Sequence, residues 1–405
     1  MMRRDLKFLI YVPSFYGFIT FTFFYISYIL GIIEYNECNN YSHFIFIISA
    51  LFFFVSSFLY LKLYKNRIVN DFNFYSSLQY LDINKIKRFI FVFYSLGNIG
   101  FIMYLVKLIS YFGGVSFFLG MIFSDDSKQI RIEGDNFSDS IGIQLSYFSW
   151  LAVSISLCVI KEMKSKKIYY LFILITFFEN LLFIDRTRPI WIIFTSLIAI
   201  LPFVYHKINN FKIIFYSLFF MIVVYGLFSA IAILAGKDTD EKMYKGWNIS
   251  PSAQSFVYYG TSSFAYFNHI IENENIDELN IDRTMYPLLK ITNSLGLTEE
   301  PSSLINEFYF IPSPTNVGTF LEPFYRDGGF LYVMFAIFLH SFLLNSLGLF
   351  FLRGANPFGL YAYSNVCYVN LMAFFTPKIN NFPIWLFLMI GVYFMISTKK
   401  KYKFK

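Results

Sequence analysis

Apolar residues arrive in long unbroken runs separated by short polar stretches, a pattern with neither the period of a surface helix nor the alternation of a half-buried strand. A membrane-spanning helix needs about 20 mostly apolar residues. Ten runs meet that requirement: Phe8–Ile33, Phe44–Leu63, Phe89–Tyr111, Ile141–Ile160, Ile168–Ile184, Pro189–Tyr205, Phe211–Ala235, Phe330–Leu352, Pro357–Phe375 and Phe382–Ser397. The first follows Arg3, Arg4 and Lys7, as a signal peptide would. It is too long for a signal core and lacks a small-residue cleavage site, so it reads as a retained span. The pattern predicts an all-α polytopic membrane protein with about ten transmembrane helices, a single integral domain over residues 1–405.

Charge then orients the chain. With the N-terminus inside, the pieces Met2–Lys7, Tyr64–Arg88, Lys161–Lys167, His206–Lys212, Arg353 and the Lys399–Lys405 tail, together with Lys62, carry about 21 of the 33 Lys and Arg residues. This is the positive-inside distribution, with both termini cytoplasmic. The net charge of +7 is thereby a topology signal and calls for no nucleic-acid partner. Two segments expected outside are too long to be turns: Phe112–Ser140 and the 94-residue loop Gly236–Gly329, between the seventh and eighth spans. The larger holds six Lys and Arg against thirteen Asp and Glu. No expected cytoplasmic loop exceeds about 25 residues, too little for a nucleotide-binding βαβ unit, and no P-loop pattern occurs.

Composition adds exclusions. The chain is 57% hydrophobic and only 15% charged, against roughly 25% charged in a soluble domain, which excludes a cytosolic enzyme. The abundance of Phe, Tyr, Ile, Asn and Lys together is what an AT-rich genome produces, so 55 phenylalanines argue for no stacking ligand. Cys38, Cys158 and Cys367 lack metal-ligand spacing, and His43, His206, His269 and His340 are scattered, so no metal or cofactor is expected.

The informative charges are those placed outside. In Asp185-Arg186-Thr187-Arg188-Pro189, two arginines lie at an outer helix boundary where positive charge is usually avoided. They could anchor lipid headgroups or pair with Asp185. Alternatively their planar forks of donors could grip phosphates. The end of the large loop, Pro312–Gly329, gathers Asn316, Gly318, Thr319, Glu322, Tyr325, Arg326 and Asp327 before the eighth span begins. Ser255–Glu272 reads as amphipathic and is predicted to lie along the membrane or cap a cavity. Arg283 either contacts a phosphate or acidic sugar or pairs with Asp282 or Glu278. His340 and Asn345, within the eighth span, are expected to bond between helices, although intramembrane polar groups can mark a substrate path.

The stretch NVGTFLEPFYRDGGFLYVMF resembles the end of the large outer loop in Wzy-type O-antigen and capsular polysaccharide polymerases, and DRTRPIW resembles their arginine motif. The resemblance implies a GT-C-like membrane glycosyltransferase of the bacterial inner membrane. Its donor would be an undecaprenyl-diphosphate-linked oligosaccharide, and a chain-length regulator is compatible with it as a protein partner. Glu322, Asp327 and His269 become the candidates to take a proton from the attacking hydroxyl. Arg186, Arg188, Arg326 and Arg283 become candidates for the diphosphate, with Tyr325, Asn316 and Thr319 beside the sugar. An O-antigen ligase, or a flippase for lipid-linked oligosaccharide, remain alternatives. No internal repeat of the kind found in transporters is visible.

Overall fold

The computed structural model describes residues 6–69, 78–122, 141–163, 165–183, 187–204, 222–230, 245–274, 279–304 and 306–399, with single positions between 204 and 222. Their helices include α1 (Pro13–Ile29), α2 (Asn40–Val69), α3 (Ile83–Tyr111), α4 (Val115–Ile122), α5 (Ile141–Val159), α6 (Lys166–Leu181), α7 (Thr187–Val204), α8 (Pro251–Asn273), α9 (Tyr286–Ser294), α10 (Glu322–Phe338), α11 (Leu344–Gly354), α12 (Pro357–Leu371) and α13 (Phe382–Ser397). A π-helical turn, Leu339–Leu343, joins α10 to α11. The strands β1 (Tyr309–Phe310) and β2 (Pro314–Thr315) form one short antiparallel hairpin, in which Tyr309 opposes Thr315.

Helix ends follow local chemistry. Pro13 and Pro251 open α1 and α8 at a position whose N–H would go unpaired anyway. Asp82 caps α3 by accepting from the Lys85 amide at 3.0 Å, and Ser250 caps α8 through the Ala253 amide at 3.4 Å.

Among the described residues, five stretches are long and apolar enough to cross a membrane: Asn40–Ile68, Ile83–Tyr111, Ile141–Glu162, Thr187–Val204 and Glu322–Gly354. They coincide with the expected second, third, fourth, sixth and eighth spans. α1, α6, α12 and α13 are shorter, at 15 to 17 residues. The expected seventh span lies largely outside the described residues, as do most of Phe112–Ser140 and Arg186. Along α2, Phe44, Ile47, Leu51, Phe54, Phe58 and Leu59 are exposed. A contiguous stripe of that kind is suited to lipid rather than water.

The chain divides into two compact units. The first comprises residues 1–70, 241–350 and 365–388. Its core is aromatic: Phe264 of α8 meets Phe21 of α1 at 4.9 Å and Phe46 of α2 at 5.0 Å between ring centroids. Gly260 lets α8 press against the Phe24 ring, where a Cβ would come within 2.1 Å. Residues Gly260 to Asn268 are all buried. α8 is therefore a packed core helix, not a helix lying along the membrane, and its mixed polar residues bond internally. Ser263 Oγ, for example, donates to the Phe374 carbonyl at 2.6 Å. Elsewhere in this unit Asn345 Nδ2 donates to Ser14 Oγ at 2.8 Å, and Asn345 Oδ1 accepts from the Ser14 amide at 2.9 Å. His340 Nδ1 meets Asn370 Oδ1 at 3.1 Å. These are the interhelical bonds expected of polar groups inside a bundle.

The second unit comprises residues 71–240, 351–364 and 389–405. Its tightest contact is between α3 and α5. A Cβ on Gly97 would lie 2.4 Å from the Ser149 amide nitrogen, and one on Gly100 would lie 2.5 Å from the Gly142 carbonyl oxygen. Small residues permit this backbone approach, which serves in place of a hydrophobic driving force where the surroundings are already apolar. Trp150 of α5 packs edge-on to Trp191 of α7 and donates to Asn180 of α6 at 3.0 Å.

Candidate functional site

The first unit brings four charged side chains and a polar frame together where the 245–329 stretch runs into α10. Glu322, the first residue of α10, is only 4% exposed. Its Oε1 lies 2.6 Å from Arg326 Nε, one helical turn on, and 3.6 Å from Arg283 Nη1. Arg326 reaches further: its Nη2 is 2.7 Å from Glu274 Oε1, just beyond α8, and donates to the Tyr266 hydroxyl at 3.4 Å. Arg283 Nη1 donates to Asn306 Oδ1 at 2.6 Å. Two guanidiniums thus bracket one buried carboxylate, and a second, more exposed carboxylate holds the outer edge.

The approach to Glu322 is made by small and polar residues. Asn306 and Asn316 clasp the ends of the hairpin, each side-chain amide donating to the other's backbone carbonyl, at 3.3 and 3.4 Å. A Cβ on Gly318 would lie 2.4 Å from Glu322 Cβ, so any larger residue there displaces the carboxylate. Thr319 is fully buried, and its carbonyl accepts from the Glu322 amide at 3.2 Å while its hydroxyl accepts from the Leu321 amide at 3.3 Å. Asn316 and Thr319 therefore build the turn that delivers Glu322.

Asp327 is buried, and its carboxylate accepts from the Thr284 amide at 2.7 Å and the Arg283 amide at 3.3 Å. Its own carbonyl accepts from the Asn280 amide at 2.7 Å. It is a clamp on the 280–284 loop and so fixes Arg283 against Glu322. Asn380 adds a third hold by donating to the Arg283 carbonyl at 2.8 Å. Immediately after Asp327 the helix kinks: Gly328 has φ −163°, ψ 25° and Gly329 has φ +60°, ψ −146°. That conformation at Gly329 is open to glycine almost alone. Gly329→Ala is expected to lower stability by about 1–3 kcal/mol, read as a reduced melting temperature of the detergent-purified protein.

Arg283 does not pair with Asp282, its neighbour in sequence. The Asp282 carboxylate accepts from Ser302 instead, at 3.1 Å, and Glu278 lies outside the described residues. His269 is half-buried, its ring 4.4 Å from that of Tyr309 and its Nδ1 3.1 Å from Asn273 Nδ2. Tyr325 is half-buried with its ring edge-on to Phe267 at 5.7 Å. Tyr258 Oη donates to the Ser313 carbonyl at 2.9 Å, and the Tyr259 ring stacks on Phe375 at 4.0 Å. Arg188 belongs to the second unit, where its guanidinium lies over the rings of Phe183 at 4.0 Å and Tyr147 at 5.2 Å.

Of the candidates read from sequence, the structure gathers Glu322, Arg326, Arg283, Asp327, Asn316 and Thr319. It adds Glu274, Asn306, Tyr266 and Asn380. Burial pushes the Tyr266 phenol up, opposed by the Arg326 guanidinium, so the hydroxyl stays neutral and donates to the Glu307 carbonyl at 3.2 Å.

No protein-family model, curated protein or solved structure matches this chain. The chemistry of the cluster is therefore the direct guide. Counting Asp327, two cations face three carboxylates, so the resting cluster carries a small negative excess. Among the described residues no group of His, Cys, Asp and Glu could hold a metal ion. What the arrangement offers is two arginines that can exchange carboxylate for another anion, and a buried carboxylate released by that exchange.

Proposed function

We propose that the chain is a bacterial inner-membrane glycosyltransferase that joins polyprenyl-diphosphate-linked oligosaccharide repeat units into O-antigen or capsular polysaccharide on the outer face. The observation that carries this reading is the Arg283–Glu322–Arg326 cluster at the head of a helix long and apolar enough to cross the membrane. A lipid diphosphate places its phosphates at the boundary between hydrocarbon and water, the level at which a membrane-crossing helix begins.

The residues suggest a sequence of events. In the resting cluster the Glu322 carboxylate faces both guanidiniums and is not open to a hydroxyl. An entering diphosphate competes for Arg283 and Arg326 through charge-assisted, bidentate bonds. As the arginines turn to phosphate, the Glu322 carboxylate is freed to accept a proton. It then takes the proton of the acceptor hydroxyl as that oxygen bonds to the donor's anomeric carbon. The bond from that carbon to the phosphate oxygen breaks, and the lipid diphosphate leaves with the electron pair, its charge met by the arginines. Diphosphate binding and base release are thus one event, so an empty site stays inactive. Asp327 positions Arg283 through the loop backbone. His269 stands as the alternative proton acceptor, and Tyr325 as a sugar contact.

Arg186 and Arg188 are proposed to bind phosphate. Arg186→Ala and Arg188→Ala are each expected to abolish long-chain polysaccharide while single-repeat lipid-linked material accumulates and the protein remains inserted. A normal ladder on a polysaccharide gel in both mutants would remove them from phosphate binding. The reading as a whole is tested by turnover of purified lipid-linked repeat units by the purified protein. If polymer forms normally in cells lacking the protein but is not attached to a lipid core, it is a ligase.

A further inference from the structure

Below the ionic cluster the first unit contains a groove of about 670 Å³, within the roughly 300–1,000 Å³ range of ligand-binding clefts. One wall is Ile281, Thr284 and Met285, from the loop that Asp327 clamps; the other includes Leu331, Phe335 and Phe338 of α10. These three recur on one face of the helix and are 71%, 49% and 45% exposed. On a helix long and apolar enough to cross a membrane, an open apolar face of this kind suits hydrocarbon rather than water. The top of the groove is different. Thr284 follows Arg283 directly, and its Oγ1 is buried without a hydrogen-bond partner. A buried hydroxyl of this kind costs free energy unless something bonds to it.

Groove and cluster together call for an amphiphile, with a hydrocarbon chain below and an anion above. An ordinary phospholipid carries only a singly charged phosphodiester. Drawing Arg283 and Arg326 away from Glu322 and Glu274 takes a more highly charged head. Resting on the function proposed above, we infer that this groove holds the first isoprene units of the polyprenyl diphosphate, with the Thr284 hydroxyl donating to the nearest phosphate oxygen.

The test uses the full-length protein in phosphatidylcholine nanodiscs and a sugar-free undecaprenyl diphosphate bearing a diazirine on its first isoprene units. Irradiation should label residues 281–285 and 331–338. Excess undecaprenyl diphosphate should suppress that labelling, and the same excess of phosphatidylglycerol should not. Leu331→Trp, a substitution at an exposed position that fills the groove, should weaken labelling about tenfold, or ~1.4 kcal/mol. Thr284→Val should weaken competition by undecaprenyl diphosphate but not by undecaprenol. Labelling elsewhere that undecaprenyl diphosphate still suppresses would overturn the groove and leave the proposed function standing. Equal suppression by phosphatidylglycerol would show an ordinary lipid slot and also overturn it. Labelling that undecaprenyl diphosphate suppresses nowhere would overturn both.

Discussion

Glu322→Gln is expected to lower turnover of lipid-linked repeat units by about 10²–10⁴-fold, the range for removing a positioned proton acceptor. The amide keeps the shape of the carboxylate beside Arg326 Nε, which sits 2.6 Å from Oε1, but gives up its charge. It cannot take a proton from a hydroxyl. Single-repeat lipid-linked material should therefore accumulate in a protein that is still inserted. Turnover of purified repeat units by the purified variant checks this directly, with the melting temperature as the structural control. Full turnover would remove Glu322 from the chemistry and pass the role to His269. Asp327 is a weaker replacement, because backbone amides already occupy its carboxylate.

The membrane-length helices were legible in sequence because their cause is local. A run such as Phe44–Leu63 has no alternative to a helix in hydrocarbon, where each backbone group must bond within its own segment. α2, α3, α5, α7 and α10 follow from that requirement alone. The end of the large loop was legible for a similar reason: Thr319, Glu322, Arg326 and Asp327 lie within three helical turns and must share one corner. What could not be read was pairing across distance. Arg283 has Asp282 beside it in sequence, yet its guanidinium crosses to Glu322 because Asp327 and Asn380 fix its backbone. Glu274 meets Arg326 only because α8 is buried against α1 and α2. Its mixture of Ser, Thr and Tyr with Phe reads as amphipathic, but the polar members bond inward in the packed unit. The kink at Gly328-Gly329 was marked by its glycines, although their sequence does not say that a groove opens below it.

The cluster also makes a prediction that separates holding the fold from doing chemistry. Arg326→Ala leaves the Glu322 side chain, 5% exposed, and the Glu274 side chain, 27% exposed, without their shared cation. Stranding a buried partner in this way costs about 3–5 kcal/mol, and the lower end applies because Arg326 is itself 18% exposed. Arg283, at 3.6 Å, still offsets part of the charge on Glu322. Replacing Glu322 and Arg326 together by Met removes both charges and leaves apolar side chains of similar reach. Apolar replacement of a buried pair is often neutral, or stabilising by about 1–4 kcal/mol. The double variant is therefore expected to melt above Arg326→Ala, and below the parent because Glu274 and Arg283 still lose their partners. Its turnover should nevertheless stay as low as that of either single variant, because neither the proposed base nor the proposed phosphate-binding guanidinium is present. Losing one such donor alone costs about 10²–10³-fold. If stability and turnover recovered together in the double variant, the pair would be structural only, and the proton acceptor and diphosphate site would lie elsewhere in the chain. If stability alone recovers, Glu322 and Arg326 are retained for the reaction at the expense of the fold, as the buried placement of two opposite charges at the head of a membrane helix implies.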